Sequence, residues 1–435
     1  MKNEITRKLT SLTLLTILLA SSVTFAVPGA MPVAEAAHNA NLFVSAESSL
    51  FKNTFGGPMV VEIVINDPAI TDTDEAKGEP DVTVNGKDVR LVQATDGLWY
   101  AYIADRTQAE TADLLSATPG VGLDFGTECP NTVDIGGPGT NPSPIFSDTV
   151  GVFVDGGSCA APAATTVNNV VREPKSPNTQ APSSNVGQIN IDVNAWPFIQ
   201  LYDFNPTGNV EIKYNKGGGA QTTTLTFDTM DAYSKITLDR SSYTTGAEVQ
   251  VVLTDGALNI DPTDEDSWTF GTLPSAPQTH YQIFDENGAS TAGSVTSPDI
   301  APSLTSLMFE DNGIVKLNGN TQDPSNPVVD LDANNDQTAP GFVDDDLDSS
   351  AISAGTLVAG TQPVTFVEGG ANTGILTNYD ENDNANIDIL QNALRGTSAS
   401  IDYNKSATSI LVAFGFGTIA FATPMVNGVQ VKRSQ

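Results

Sequence analysis

The sequence predicts an all-β protein built of tandem β-sandwich domains, with one short helix and long Gly/Pro-rich loops. Three observations predict it. Short apolar runs rich in β-branched residues recur after residue 40, as in "NLFVSAE", "MVVEIVIN" and "LWYAYIAD". Turn residues fill the gaps between them, with 37 Gly and 26 Pro in 435 residues. Helical periodicity is confined to one stretch, so the strands do not alternate with helices as they would around a parallel sheet. The length fits about three domains at ~150 residues each.

The chain opens on a targeting signal. Lys2, Arg7 and Lys8 precede the apolar "LTSLTLLTILLA", and small-residue cleavage patterns end at Ala26 and Ala36. The helix-breaking "VPGAMP" between them favours the second, so residues 1–36 are expected to be a signal peptide. The apolar run is shorter than the ~20 residues of a membrane span. Export leads to an oxidising compartment, where the chain's two cysteines, Cys129 and Cys159, are expected to pair.

A first sandwich domain is expected over residues 37–184. Asn85-Gly86 is a two-residue hairpin signal. "TQAETADLLSAT" (107–118) reads as the helix, with Thr107 and Glu110 as a capping box and Pro119-Gly120 as its stop. From about residue 120 to 184 the chain is rich in Gly and Pro, and "REPKSPNTQAPSSN" within it reads as a linker. A disulfide here would pin a long loop with little core of its own. Strand patterns resume in an expected second sandwich at 185–303, with "VEIKYN", "TTTLTFD" and "EVQVVLTD". A third β-rich region follows at 304–435, with "PVTFVEGG", "ASIDYN" and "SILVAFGFGTIAF". The last run is long and apolar, but its glycines, its β-branched residues and the following Asn427-Gly428 read as strands. No membrane span is therefore expected beyond the signal peptide.

One unit is repeated. "SAESSLFKNTFGGPMVVEIVINDPAI" aligns with "LDRSSYTTGAEVQVVLTDGAL": Ser48-Ser49 with Ser241-Ser242, and Val61, Val64, Asp67 and Ala69 with Val249, Val252, Asp255 and Ala257. In each copy the closing aspartate is placed to form an Asx-turn. The acids that follow, Asp261, Asp264, Glu265 and Asp266 in the second copy, are expected on an exposed loop.

Charge narrows the function. The chain holds 19 Lys/Arg against 52 Asp/Glu, a net charge of −33. Nucleic acid and anionic membranes need basic patches, so neither is an expected partner, and small cations are. Catalytic signatures are missing: no H-E-x-x-H, G-x-S-x-G or P-loop occurs, and His38 and His280 are the only histidines. No enzyme activity is expected. Calcium is a candidate ligand, because "DLDANND" sets Asp330, Asp332, Asn334 and Asp336 at alternating positions, the D-x-D-x-N-x-D opening of a calcium loop. Asn335 and Gly341 stand where an EF-hand has its turn glycine and bidentate glutamate, so the loop is not an EF-hand. Asn404-Lys-Ser406 is a glycosylation sequon.

"DEAKGEPDVTVNGKDVRLVQATDGLWYAYIADRTQAE", "TTVNNVVREPKSPN" and "ITLDRSSYTTGAEVQVVLTDGALNIDPTDEDSW" resemble stretches of the surface-layer proteins of ammonia-oxidising archaea (Thaumarchaeota). The resemblance implies tandem immunoglobulin-like domains that self-assemble into a porous two-dimensional lattice at the cell surface, with no catalytic residues. Members of that family run well beyond this length, so the third domain is expected to be incomplete. The expected function is a structural subunit of a strongly acidic surface layer that enriches small cations at the envelope. The alternative is a secreted surface protein for adhesion or ligand binding.

Overall fold

The computed structural model describes residues 39–116, 118–136, 145–159, 168–182, 185–284, 297–319, 328–330, 363–379, 385, 387–403, 407–413, 425–426 and 429–430. In its first half the chain lays down β1 (Leu42–Val44), β2 (Thr54–Phe55), β3 (Val61–Ile65), β4 (Val82–Val84), β5 (Lys87–Asp88), β6 (Val92–Gln93) and β7 (Trp99–Asp105). Helix α1 (Arg106–Asp113) follows, then β8 (Thr127–Cys129), β9 (Gly151–Val154), β10 (Phe198–Tyr202), β11 (Gly208–Tyr214) and β12 (Gln221–Phe227). One sheet has the order β1-β3-β7-β10-β9-β8, with β6 also on β7; the other runs β2-β12-β11-β4-β5. Pairing is antiparallel except for β10 on β7 and β12 on β2.

Period-two alternation decides which faces meet. Val61, Ile63 and Ile65 of β3 are buried while Glu62 and Val64 are half-buried. In the other sheet Val210, Ile212 and Tyr214 of β11 and Leu225 and Phe227 of β12 point inward. Phe55 packs on Phe204 and Phe227 at 5.6 and 5.3 Å between centroids. Seven consecutive residues of β7 are buried, as an inner strand covered on both faces requires.

The second half repeats the plan. It contains β13 (Lys235–Leu238), β14 (Val251–Thr254), β15 (Ser267–Gly271), β16 (Gln278–Tyr281), β17 (Lys316–Asn318) and β18 (Val329–Asp330). It continues with β19 (Pro363–Glu368), β20 (Ile375–Thr377), β21 (Asp388–Ile389), β22 (Ser398–Asp402) and β23 (Thr408–Leu411). A six-stranded sheet, β13-β14-β20-β19-β15-β16, faces the three-stranded β17-β22-β23. Phe270 bridges them, edge-on to Phe366 in its own sheet and to Tyr403 beyond β22. β18 pairs with β21, and a last hairpin joins β24 (Met425–Val426) to β25 (Val429–Gln430). All-β architecture is thus as the sequence predicts, and among the described residues no helix is long and apolar enough to cross a membrane.

Local signals and long-range pairing part company at several points. Asn85 and Gly86 turn the β4–β5 hairpin with φ of 51° and 77°, the left-handed pair of a type I′ turn. The helix, however, starts at Arg106 and ends at Asp113, and its cap is Asp105, whose carboxylate accepts the Gln108 amide. Asp105 ends β7, so one residue closes the strand and opens the helix, and Thr107 is not needed as a cap. Residues on both sides of position 184 share both sheets of the first repeat, through β10 on β7 and β11 on β4. Residues on both sides of 303 likewise share the six-stranded sheet, through β19 on β15.

The disulfide forms between Cys129 and Cys159, with 5.6 Å between their Cα atoms. The loop it closes is better packed than its composition suggests. β9 lies within it and pairs with β8, which leads into it, and Val133, Ile135 and Phe146 are buried in the main core.

Candidate functional site

The two copies of the repeated turn are built alike. Asp67 and Asp255 each accept the amide two residues on, Ala69 at 3.0 Å and Ala257 at 2.9 Å, which are the expected Asx-turns. Each aspartate's second oxygen accepts a tyrosine hydroxyl from the facing sheet: Tyr214 at 2.9 Å and Tyr403 at 2.7 Å. Those tyrosines lie 147 and 148 residues downstream of their partners. Both sit in the same tetrapeptide context, "KYNK" and "DYNK". A tryptophan completes each lock: Trp99 Nε1 donates to the Ile70 carbonyl and Trp268 Nε1 to that of Leu258, in both cases three residues after the aspartate. This long-range half of the repeat is legible in "YNK" once the turn is known, and pattern reading by strands alone passes over it.

The environments differ. Burial works to raise the Asp67 carboxyl, but hydrogen bonds from Lys216, the Ala69 amide and Tyr214 outweigh it and hold it below the usual range. Asp255 is fully buried and meets Tyr403 and Asn312, both neutral. Burial pushes it up to about 6.

The acid-rich stretch after Asp255 is not an exposed loop. Asp261 and Asp266 are fully buried, and Asp264 and Glu265 are partly so. The reason is Arg172, from the segment that composition marks as a linker. Its backbone amide donates to Asp261 Oδ2 at 2.7 Å, Nε to Asp264 at 3.1 Å, and NH1 to Asp266 Oδ1 at 3.3 Å and to the Tyr281 hydroxyl at 2.5 Å. NH2 donates to the Glu265 carbonyl at 2.7 Å. Tyr281 in turn donates to Asp266 at 2.6 Å, and the Ile260 and Asp261 amides hold the other Asp266 oxygen. Glu368, from the end of β19, accepts the amides of Thr373, Gly374 and Asp266.

One guanidinium therefore faces Asp261, Asp264 and Asp266, with Glu368 behind them. Burial pushes Asp261, Asp266 and Glu368 each up to about 7; Arg172 opposes this for the two aspartates, and backbone amides oppose it for Glu368. Glu62 of β3, hydrogen-bonded by Tyr102, is pushed up to about 7 by burial as well, with Asp261 adding to the rise. Such a cluster fixes geometry strongly, because any member left unpaired in the interior costs several kcal/mol, on the order of 3–5. Hydroxyls also touch it: Thr263 Oγ1 donates to Asp261 and Thr373 Oγ1 to Glu368. Sequence reading missed Arg172, and the available signal was a cation in a segment otherwise read as linker, in a chain short of cations.

The cluster ties the two repeats together. Val60 donates to the Ile260 carbonyl at 3.0 Å, and Asn372 Nδ2 to the Ser45 carbonyl at 2.7 Å. Gly256 and Gly374 sit against the Phe51 ring so closely that a Cβ at either would come within 3.2 and 2.7 Å of it.

Of the other predicted site residues, only Asp330 belongs to a described element. Its backbone pairs with Asp388 in the β18–β21 ladder. Asp332, Asn334, Asp336 and Asn404 lie outside the described residues. Among the described residues no group of three or more His, Cys, Asp or Glu side chains is arranged to hold a metal ion. A surface cleft of about 400 Å³ opens beside the β4–β5 hairpin, lined by Glu79, Asp81, Asp88, Arg90, Ile145 and Asp148 among others. Arg90 pairs with Glu79 at 2.9 Å, leaving the cleft with an excess of carboxylates.

Comparison with known proteins finds no family model that matches the chain and no matching curated protein.

Proposed function

We propose that the chain is an exported structural subunit of a porous, strongly acidic surface layer, with no catalytic role. The observation that carries this reading is the locked tandem: two sandwich repeats joined through a buried ion cluster. A lattice subunit must hold its domains at a fixed angle, and fixing an angle is what such a junction does. The resemblance of the quoted stretches to archaeal surface-layer proteins supports the same reading. Acids outside the cluster, such as Asp72, Asp74, Glu75, Asp81, Asp88 and Asp96, are exposed and would supply the field that enriches small cations. Its reach is about a Debye length, ~8 Å at 0.15 M salt, so only narrow openings would select. Calcium at residues 330–336 would add rigidity to the same subunit.

Electron microscopy of the purified protein, with calcium and with EDTA, tests the reading. Ordered two-dimensional sheets are expected when calcium is present. A protein that stays monomeric at high concentration in both conditions would count against it. The acidic cleft at Glu79–Asp148 favours a second reading, a surface ligand-binding protein. Saturable binding of a small cationic ligand, abolished by Asp81→Asn with Asp148→Asn, would support that one.

A further inference from the structure

We propose that the Asp67–Glu75 turn of the first repeat is a docking surface for a second copy of this chain, which presents the 239–246 loop of its second repeat. The inference deepens the self-assembly reading and rests on it. Its template is the junction inside the chain. There the 45–60 loop of repeat one covers the Asp255–Asp261 turn of repeat two, and Thr254 through Pro262 are all buried. By the repeat alignment, the turn corresponding to Asp255 is the one at Asp67, and the loop corresponding to 45–60 is the one at 238–248.

These two corresponding surfaces are exposed in part, although Tyr243 in the second loop is buried and its backbone is bonded to Leu411 and Ala413. Pro68 and Ala69 are exposed where their counterparts Gly256 and Ala257 are buried, and Ile70 is half-exposed where Leu258 has no exposure. Asp72, Asp74 and Glu75 follow within eight residues of Asp67, all exposed, as Asp261, Asp264 and Glu265 follow Asp255. Within the chain this acidic position receives Arg172. At the first turn Lys216 pairs with Asp67 at 2.9 Å, and Lys77 is held to Asp72 and Glu75 in exposed pairs at 3.0 and 2.8 Å. In the 239–246 loop Arg240, Ser241, Thr244 and Gly246 are exposed, and the Arg240 side chain keeps 58% of its surface open while pairing with Asp239 and lying over the Tyr243 ring. The first repeat thus exposes a turn followed by three carboxylates, and the second exposes a loop carrying a guanidinium. Joining them makes a head-to-tail contact, which propagates as a string and does not close on itself unless the rotation does.

The test uses the whole exported chain with Ala69→Cys in one tagged preparation and Ser241→Cys in another, mixed and treated with a short bis-maleimide. A covalent dimer carrying both tags is expected, against little product from the control pair Thr224→Cys with Ser241→Cys, whose threonine lies on an exposed sheet face. Reversing Arg240 to Glu should cut the yield about tenfold, the equivalent of ~1.4 kcal/mol of contact energy. Adding Asp74→Arg on the other partner should restore it. Mixed-tag dimers without sheets in the microscope would uphold the contact and remove the lattice reading. Sheets whose copies fail to cross-link above the control would uphold the lattice and overturn this contact. Neither sheets nor cross-links would overturn both.

Discussion

Replacing Arg172 with Met is the most informative single perturbation. Met keeps much of the packing volume and removes the charge. In the native protein the guanidinium meets Asp264 at 3.1 Å, Asp266 at 3.3 Å and Asp261 at 3.6 Å, and the two nearest to the core have no exposed side-chain surface. Removing one partner of a buried ion pair costs about 3–5 kcal/mol, because the remaining charge has no water to turn to. For the unit running from Asn41 to Gln435, an unfolding entropy of ~2.1 cal/mol/K per residue converts this into a Tm lower by roughly 4–6 °C.

The loss should depend on pH, with a definite sign. Asp261, Asp266 and Glu368 sit at about 7 in the folded state, above the ordinary carboxyl range of the unfolded chain. The folded state therefore binds more protons between about pH 4 and 7, and stability falls as pH rises through that window. Without Arg172 the carboxyls rise further, so Arg172→Met should lose most at pH 8 and recover toward wild type at pH 5, where protonation neutralises the unpaired acids. Calorimetry of both proteins at the two pH values is the assay. A Tm loss under about 1 °C at pH 8, or a loss equal at pH 5 and pH 8, would refute the reasoning.

Three further outcomes are expected. Tyr403→Phe should cost about 1.5–3 kcal/mol in urea titration, the range for a hydrogen bond to a charged acceptor, and Tyr214→Phe less, because Lys216 still pairs with Asp67. Removing the disulfide with Cys129→Ala and Cys159→Ala, 30 residues apart, should destabilise by about 3–4 kcal/mol in the chain-entropy account, with hydrogen exchange rising first in β8 and β9. Calcium at a hundredfold excess over Kd should stabilise the wild-type chain by ~2.7 kcal/mol, and Asp332→Ala should abolish the shift between calcium and EDTA melts.

The sequence by itself determined the local chemistry. Alternating apolar runs specify strands, Asn85-Gly86 specifies a hairpin, and Asp67 and Asp255 specify Asx-turns, because each depends on neighbours within a few residues. Two cysteines specify their pairing for a simpler reason: there is only one way to join them. Tertiary structure alone decided which strands share a sheet. β10 and β11 join strands laid down about a hundred residues earlier, and β19 joins β15 across a comparable gap, so a linear reading places boundaries where the sheets have none. It also decided the fate of the charge. A run of aspartates reads as solvated because burying carboxylates is costly, and that cost is met here by Arg172, Tyr281, Asn312 and Tyr403 from four other parts of the chain, together with backbone amides of the run itself. No short-range pattern encodes that meeting. Only the packing of one repeat on the next turns Asp261 and Asp266 from surface acids into the core of a junction, while Asp72 and Asp74, which follow the first repeat's turn, remain exposed.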